Sequence, residues 1–401
     1  MNKRIFFDHA SATPLDARVL DAMLPYLQEE FGNPSSYLHS FGQQPCNALD
    51  KARRQVAAMI NARPDEIIFT SGGTEANNLA VKGIALANEG KGKEILVSEI
   101  EHYSVLFAAQ SLKRWGFEVK YLPVDKDGLL DPQDVRRAIN PKTCLVCVMQ
   151  ANNEIGVIQD IPAISAITKK HGVSLHCDAV ASAGTIPVDV QTLGVDSLSL
   201  SAQQFYGPKG TGALYLRKGV KIETQMQGGH QEMGRRSGTE NVAGIVGLGA
   251  AAEIAVQELP QNMERLIVLR DRLLHGLKER IDYFNITGHP TRRLPGHVSF
   301  WVEFVEGESL LLCLDLEGIA SASGSACSSN LRGQDEYDLA ASHVLTAIGV
   351  PPEICHGSIA FTLGQGNTQE DVDYTLDVMP KIVARLRQMS PLYADKLRPG
   401  K

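Results

Sequence analysis

Three constellations carry side chains of the kind that do chemistry. The first, IIFTSGGTEANNLAV, sets a glycine pair and Thr74 between an apolar run of strand length and a helical pattern. Backbone N–H groups at Gly73 and Thr74, with the Thr74 hydroxyl, would then face outward at a helix N-terminus, where peptide dipoles favour an anion, most simply a phosphate. The same residues would equally serve an ordinary strand-to-helix turn capped by Thr74. The second, VSLHCDAVASAG, ends an alternating apolar strand on Asp178. A carboxylate at that sheet edge can hold a cationic ring nitrogen. His102, in SEIEHYSV, stands at another strand end; its flat ring could stack on a flat cofactor, although a lone histidine also serves as a structural residue. The third, SASGSACSSN, places Cys327 among glycine and serine. Small neighbours let a thiol approach a ligand or partner, whereas a buried structural cysteine sits among apolar ones.

These residues need a frame, and the sequence has one. EIIFTSGG precedes the helical pattern TEANNLAVKGIALAN, EILVSEIEH precedes VLFAAQSLKRWG, and CLVCVMQANNE precedes IPAISAITKKHG. VSLHCDAV and SLSLSAQ follow as further strands. The alternation predicts an α/β domain around a mostly parallel sheet buried on both faces, with ligands at the carboxyl ends of its strands. Near AAEIAVQELPQNMERLIVLRDRLLHGLKERI the pattern becomes a long helix, followed by the strand HVSFWVEFV and more helices, which predicts a second, smaller domain. Residues 15–255 are expected to form the large domain, and 1–14 with 256–401 the small α/β domain that carries the Cys327 loop.

The totals narrow the classes. A chain of 401 residues with 43% apolar content can bury a large core. A net charge of −7 argues against a general affinity for nucleic acid or anionic membrane. The start, MNKRIFFDHASATP, lacks the apolar core of a signal peptide, and VAGIVGLGAAAEIAV is shorter than a membrane span and carries Glu253; a cytoplasmic protein is expected. Seven cysteines, an odd number, fit reduced thiols better than a disulfide framework. Cys144 and Cys147 have CxxC spacing but lie on a strand, where positions three apart face opposite ways, so both read as buried core.

FGNPSS, FTSGGTEANN, EHYSV, ANNEIGV, CDAVAS, YGPKGTGALY, RRSGTEN, VEGESLLL and SGSACSS follow one another over nearly the whole chain. In these segments and their order the chain resembles the NifS/IscS cysteine desulfurases, class V aminotransferase relatives with pyridoxal-phosphate fold type I. The resemblance implies a large domain with a mostly parallel seven-stranded sheet and a smaller α/β C-terminal domain. It implies a pyridoxal phosphate cup in which Gly73, Thr74 and Ser201 hold the phosphate together with Thr239 reaching across a homodimer. Asp178 would pair with the pyridine nitrogen, His102 would stack on the ring, Asn153 would lie near the phenolic oxygen, and Gln203 would be among the cofactor's contacts. Cys327 would take sulfur from substrate cysteine as a persulfide, or ligate an iron–sulfur cluster shared with a scaffold protein.

The chain departs from that pattern at three places. Where the family has a histidine followed by the lysine that forms a Schiff base with pyridoxal, this sequence has Gln203 and Gln204. An amide nitrogen cannot form an imine, so any bound cofactor is expected to be non-covalent. Ala181 replaces a glutamine that contacts the phenolic oxygen, and Ala360 replaces an arginine that clamps the substrate carboxylate. Lys209 in GPKG is present in the family besides the catalytic lysine, so its presence compensates for nothing. Three readings follow: an iron–sulfur assembly or sulfur-transfer protein acting through Cys327, a pyridoxal-phosphate enzyme with unusual chemistry, and a regulatory subunit whose cup is a relic. Whether the chain is an enzyme stays open at the level of sequence.

Overall fold

Apolar runs with no polar face have to be covered on both sides, and this requirement builds the centre of the molecule. A computed structural model describes residues 4–323, 342–351 and 358–397. Its strands are β1 (Ile5–Phe6), β2 (Ile67–Thr70), β3 (Glu94–Ser98), β4 (Glu118–Leu122), β5 (Thr143–Cys147), β6 (Ser174–Asp178), β7 (Ser197–Ser201), β8 (Gly212–Leu216), β9 (Phe284–Ile286), β10 (His297–Val302), β11 (Ile319–Ala320), β12 (Ala322–Ser323) and β13 (Ser358–Thr362). Seven of them form one sheet in the order β2-β8-β7-β6-β5-β3-β4. Only β8 runs antiparallel to its neighbours; the other pairs in this sheet are parallel. Every residue of β2, β3, β5, β7 and β8 is buried, as continuous apolar runs require. The expected mostly parallel sheet is therefore present.

A second core has a different architecture. The antiparallel sheet β12-β13-β10-β9 packs Val298, Phe300 and Phe361 against Leu310, Leu376 and Met379. The helix Gln369–Met389 that supplies two of these starts on a capping box between Thr368 and Asp371, which satisfies donors at its N-terminus. One 39-residue helix, Val242–Arg280, serves both cores. Ile245, Leu248 and Ala252 face the central sheet, and Leu269, Leu273 and Leu277 face the second one. The change of sequence character near Ala255 thus coincides with no break in the helix.

The N-terminus crosses between the two cores. Ile5 and Phe7 are buried in the second, Asp8 bridges Thr362 in parallel, and the following residues run towards the carboxyl edge of the large sheet. Cys144 and Cys147 are both buried in one apolar cluster on that sheet, and burial pushes the Cys144 thiol up to about 11, which is core behaviour.

The strand that leads to the Gly72–Gly73 turn is clamped by a buried ion pair. Arg53 donates to both Glu232 oxygens at 2.8 and 2.7 Å and to Ile67 O at 2.6 Å. Glu232 also accepts the Phe69 N–H at 2.9 Å, and the guanidinium lies 4.5 Å from the Phe69 ring centre. Replacing Arg53 by methionine leaves the Glu232 carboxylate buried and unpaired. Arg53→Met is expected to lose about 3 kcal/mol of stability in urea unfolding; a loss within the noise of an exposed-site substitution would mean that the pair does not hold β2.

Candidate functional site

The carboxyl ends of β2, β3, β5, β6 and β7 converge on one cavity of about 290 Å³. Gly73, Thr74, His102, Asn153, Asp178, Ser201 and Gln203 all line it, so seven expected site residues, scattered through the sequence, meet in space. Thr239 does not; it lines a separate concavity with Ser71 and Glu240. Cys327 lies outside the described residues. The chain enters that segment from Ala322, which lines the cavity, and returns at Ser342, whose hydroxyl donates to Glu154 on the cavity wall.

The phosphate corner is built by local backbone. Gly72 has φ +151°, and a Cβ on Gly73 would come within 2.6 Å of Val180 Cγ2, so the first glycine allows the backbone conformation of the turn and the second its close approach to Val180. No side chain caps the start of the helix Gly73–Ala87. Its first-turn donors therefore remain for a ligand, beside the Thr74 and Ser201 hydroxyls. Glu75, in the same turn, is turned away: it accepts the Ser71 N–H at 2.7 Å and pairs with Arg236 at 2.9 Å.

The opposite pole of the cavity is a buried carboxylate with a chain of donors behind it. Asp178 Oδ1 accepts the Val180 N–H at 2.9 Å, and Oδ2 accepts Asn77 Nδ2 at 2.7 Å. Asn77 also donates to Ser104 Oγ at 2.8 Å, and its Oδ1 lies 3.0 Å from His176 Nε2. Burial pushes His176 down to about 3, so the ring is neutral. Its Nε2–H then donates to Asn77, and its Nδ1 accepts from Ser197 Oγ at 2.9 Å. Burial pushes the Asp178 carboxyl up, while nearby His102, the Val180 N–H and Asn77 pull it back. His102 is oriented as well. The Ser104 N–H donates to its Nδ1 at 3.1 Å, which puts the ring proton on Nε2.

The third wall carries the three residues read in the sequence as departures from the family pattern. Ala181, Gln204 and Ala360 all line the cavity. Gln204 Nε2 donates to Ala10 O at 3.0 Å. Ala181 and Gln204 also border a smaller cavity of about 70 Å³ between them and Met263, Leu294 and His297. Lys209 does not line the main cavity; its Nζ lies 3.4 Å from Thr13 O. Among the described residues, no lysine or arginine lines it, whereas Asp8, Glu154 and Asp178 bring three carboxyl groups.

Several of these residues escaped the sequence reading. Asp8 and Ser11 belong to FFDHASATP, where a polar cluster directly after an apolar strand was the available signal. Asn77 and His176 look like ordinary helix and strand positions; only the sheet register pairs them. Glu154, next to Asn153, has its backbone fixed by Asn152 Oδ1 at 2.8 Å. Burial pushes its carboxyl up to about 7, against a hydrogen bond from Ser342.

The donor set fits pyridoxal phosphate. It has an uncapped helix start with hydroxyls for the phosphate, a buried acceptor for a protonated ring nitrogen, and an imidazole locked in one tautomer. No lysine among the described residues lines the cavity, and Ala181 and Ala360 bring no polar side-chain atom to it. Comparison with known proteins agrees with this architecture. Residues 5–375 match the class-V aminotransferase family. The chain is 50% identical over 391 residues, 98% of its length and 97% of the relative's, to a protein named cysteine desulfurase IscS from Dictyoglomus turgidum. It is 50% identical over 397 residues to another of that name from Methanosarcina thermophila, covering 99% and 96% of the two chains. A solved NifS-like protein superposes with a TM-score of 0.88 at 37% identity, covering 96% of this chain and all of the other.

Glu154 gives the site a measurable pH signature. Its pKa in the fold lies above the ordinary 4.5, so its contribution to stability is fully present below pH 4.5 and lost as pH rises through about 7. Glutamine keeps an acceptor for Ser342 and does not titrate. Glu154→Gln should therefore gain stability relative to the parent between pH 4.5 and 8, by up to about 3 kcal/mol. A difference in unfolding free energy that stays flat over this range would count against the buried carboxyl.

Proposed function

The chain belongs to the cysteine desulfurase branch of the class-V aminotransferase family, and from that membership we propose that it is a sulfur-handling protein of iron–sulfur cluster assembly which holds pyridoxal phosphate without a covalent bond. The observation that carries this reading is the cavity wall itself: a phosphate corner and a ring-nitrogen acceptor, with the Gln204 amide where an amine would stand and no lysine or arginine among the described lining residues. The relatives' names support the sulfur chemistry.

In this reading Gly73, Thr74 and Ser201 hold the phosphate, completed by Thr239 of the partner subunit in a homodimer. Asp178 holds a proton on the ring nitrogen, His102 stacks on the ring, and Asn153 and Gln203 flank it. When bound, the cofactor supplies an electron-withdrawing ring that can take up a pair of electrons from a substrate carbon. What the chain supplies is orientation and exclusion of water; the amine that would carry a proton to and from that carbon is absent, at a cost on the order of a hundredfold or more in rate. Cys327 then acts as a persulfide carrier or a cluster ligand, docked on a scaffold protein in the cytoplasm. Residues 15–255 form the cofactor-binding domain, and 1–14 with 256–401 the smaller one.

Glu154 favours a second reading. A carboxyl on the wall with a pKa near 7 can accept and return a proton at neutral pH, which would make the chain an enzyme whose base is not a lysine. One set of proteins separates the two. The purified parent should show absorbance between about 320 and 430 nm that borohydride does not fix to the chain, and Gln204→Lys should become fixable when pyridoxal phosphate is added. Sulfide release from cysteine should be on the order of a hundredfold slower in the parent than in a Gln204→Lys, Ala181→Gln, Ala360→Arg variant; comparable rates would replace the first reading with the second. Loss of cluster formation on a scaffold in Cys327→Ala is expected, and equal formation would end the proposed role of that thiol.

A further inference from the structure

The smaller cavity, of about 70 Å³, differs in chemistry from the larger one beside it. The two share Ala10, Ala181 and Gln204 as lining. The Gln204 side chain makes one hydrogen bond among the described residues, to Ala10 O, and Ala181 adds only a methyl group to that wall. Met263 and Leu266 line the smaller cavity from the helix Val242–Arg280, where it passes from one core to the other, together with Leu294 and Leu363. Two imidazoles, His9 and His297, also line it. Burial pushes each down to about 4, so both rings are neutral at pH 7. Among the described residues, no aspartate, glutamate, lysine or arginine lines this cavity, whereas its neighbour bears three carboxyl groups. A charged group entering it would lose its water without gaining a partner, while an apolar group gains by leaving water. The volume exceeds the roughly 15 Å³ that admits one water and suits a thioether or a short alkyl chain.

We propose that this smaller cavity is a side-chain subsite of the cofactor cavity, taking an uncharged, largely apolar side chain of an amino-acid ligand and excluding a charged one. The inference rests on the reading of the larger cavity as a pyridoxal phosphate cup. The uncapped helix start takes the phosphate arm and Asp178 the ring nitrogen. The ring carbon through which an amino acid is joined to the cofactor is left to the wall of Ala181 and Gln204, and that wall is the boundary with the smaller cavity. The boundary is braced from behind: His297 Nε2 donates to Asn153 O at 2.9 Å, and Asn153 lines both cavities.

The test uses the full chain, freed of bound cofactor and titrated calorimetrically with N-phosphopyridoxyl-L-alanine, N-phosphopyridoxyl-L-methionine and N-phosphopyridoxyl-L-glutamate. These reduced conjugates need no lysine to bind, and all carry the same carboxylate, so differences among them report the side chain. The methionine conjugate is expected to bind at least tenfold more tightly than the alanine conjugate, the effect of burying about two methylene-sized groups. The glutamate conjugate, of similar length, should bind no more tightly than the alanine one. Met263 and Asn262 both line the smaller cavity and are half-buried. Met263→Trp fills it and should bring the methionine-to-alanine ratio close to one while leaving the alanine affinity unchanged. Asn262→Phe should narrow the ratio on its own, so the assignment does not hang on the folding of one variant. Alanine and methionine conjugates bound equally by the parent protein overturn the subsite and leave the cup intact. Glutamate bound as tightly as methionine overturns the preference for an uncharged group, and a methionine gain that survives both substitutions overturns its location in this cavity. Absence of binding for all three conjugates overturns the cup, and the subsite with it.

Discussion

A buried carboxyl at the carboxyl edge of the central sheet is the constraint around which this molecule is arranged. Asp178 ends β6 in the middle of the seven-stranded sheet, where it is almost wholly buried and an unpaired ion would cost several kcal/mol. The fold answers with directed donors. Ser197 on the neighbouring strand sets the His176 tautomer, His176 sets the Asn77 amide, and Asn77 then has only its N–H groups to turn toward Asp178 and Ser104. Asn77 can do this because it sits in the second turn of the helix Gly73–Ala87, the helix whose first turn forms the phosphate corner. The two poles of the cavity are therefore fixed by one element, and their separation is set by the rise of a single helix.

This coupling makes the frame of the cavity independent of its third wall. Gln204, Ala181 and Ala360 sit on the third wall and take no part in the Asp178 network or the helix start. The loop that presents Gln204 is held by its neighbours: Gln203 O accepts Thr13 Oγ1 at 2.7 Å, and the Tyr206 N–H returns to that same hydroxyl at 2.9 Å. Tyr206, at φ +64°, closes the turn. The side chain at position 204 is thus delivered to the cavity whatever its chemistry, and the change there is one of polarity rather than of shape.

What could be read from the sequence was what is local. Strands of uninterrupted apolar residues, the glycine pair before a helix, and Asp178 at the end of an alternating run each announce themselves within a few residues, and the cavity assembles them as expected. Residues whose roles arise from register were invisible. His176 matters because β6 lies beside β7, which puts it opposite Ser197; Asp8 matters because the N-terminal segment pairs with Thr362, more than 350 residues away. The extent of the helix Val242–Arg280 was also hidden. Its two buried stripes belong to different cores, so its composition changes along its length although the backbone does not.

The electrostatic balance of the cavity follows from the same geometry. A helix start and two hydroxyls draw an anion to one end, while carboxyl groups on β6, on the N-terminal segment and beside Asn153 make the rest acidic. With no lysine or arginine among the described residues that line it, these carboxyl groups face one another without such a partner on the wall. Burial pushes Asp8 up and carries Glu154 to about 7, and Glu101, sealed behind Asp178, is pushed well above the carboxylate range by its burial and by that neighbour. A protonated carboxyl, such as Glu154 below pH 7, donates a hydrogen bond as well as accepting one. On this wall the group raised to about 7 is therefore a carboxyl, Glu154.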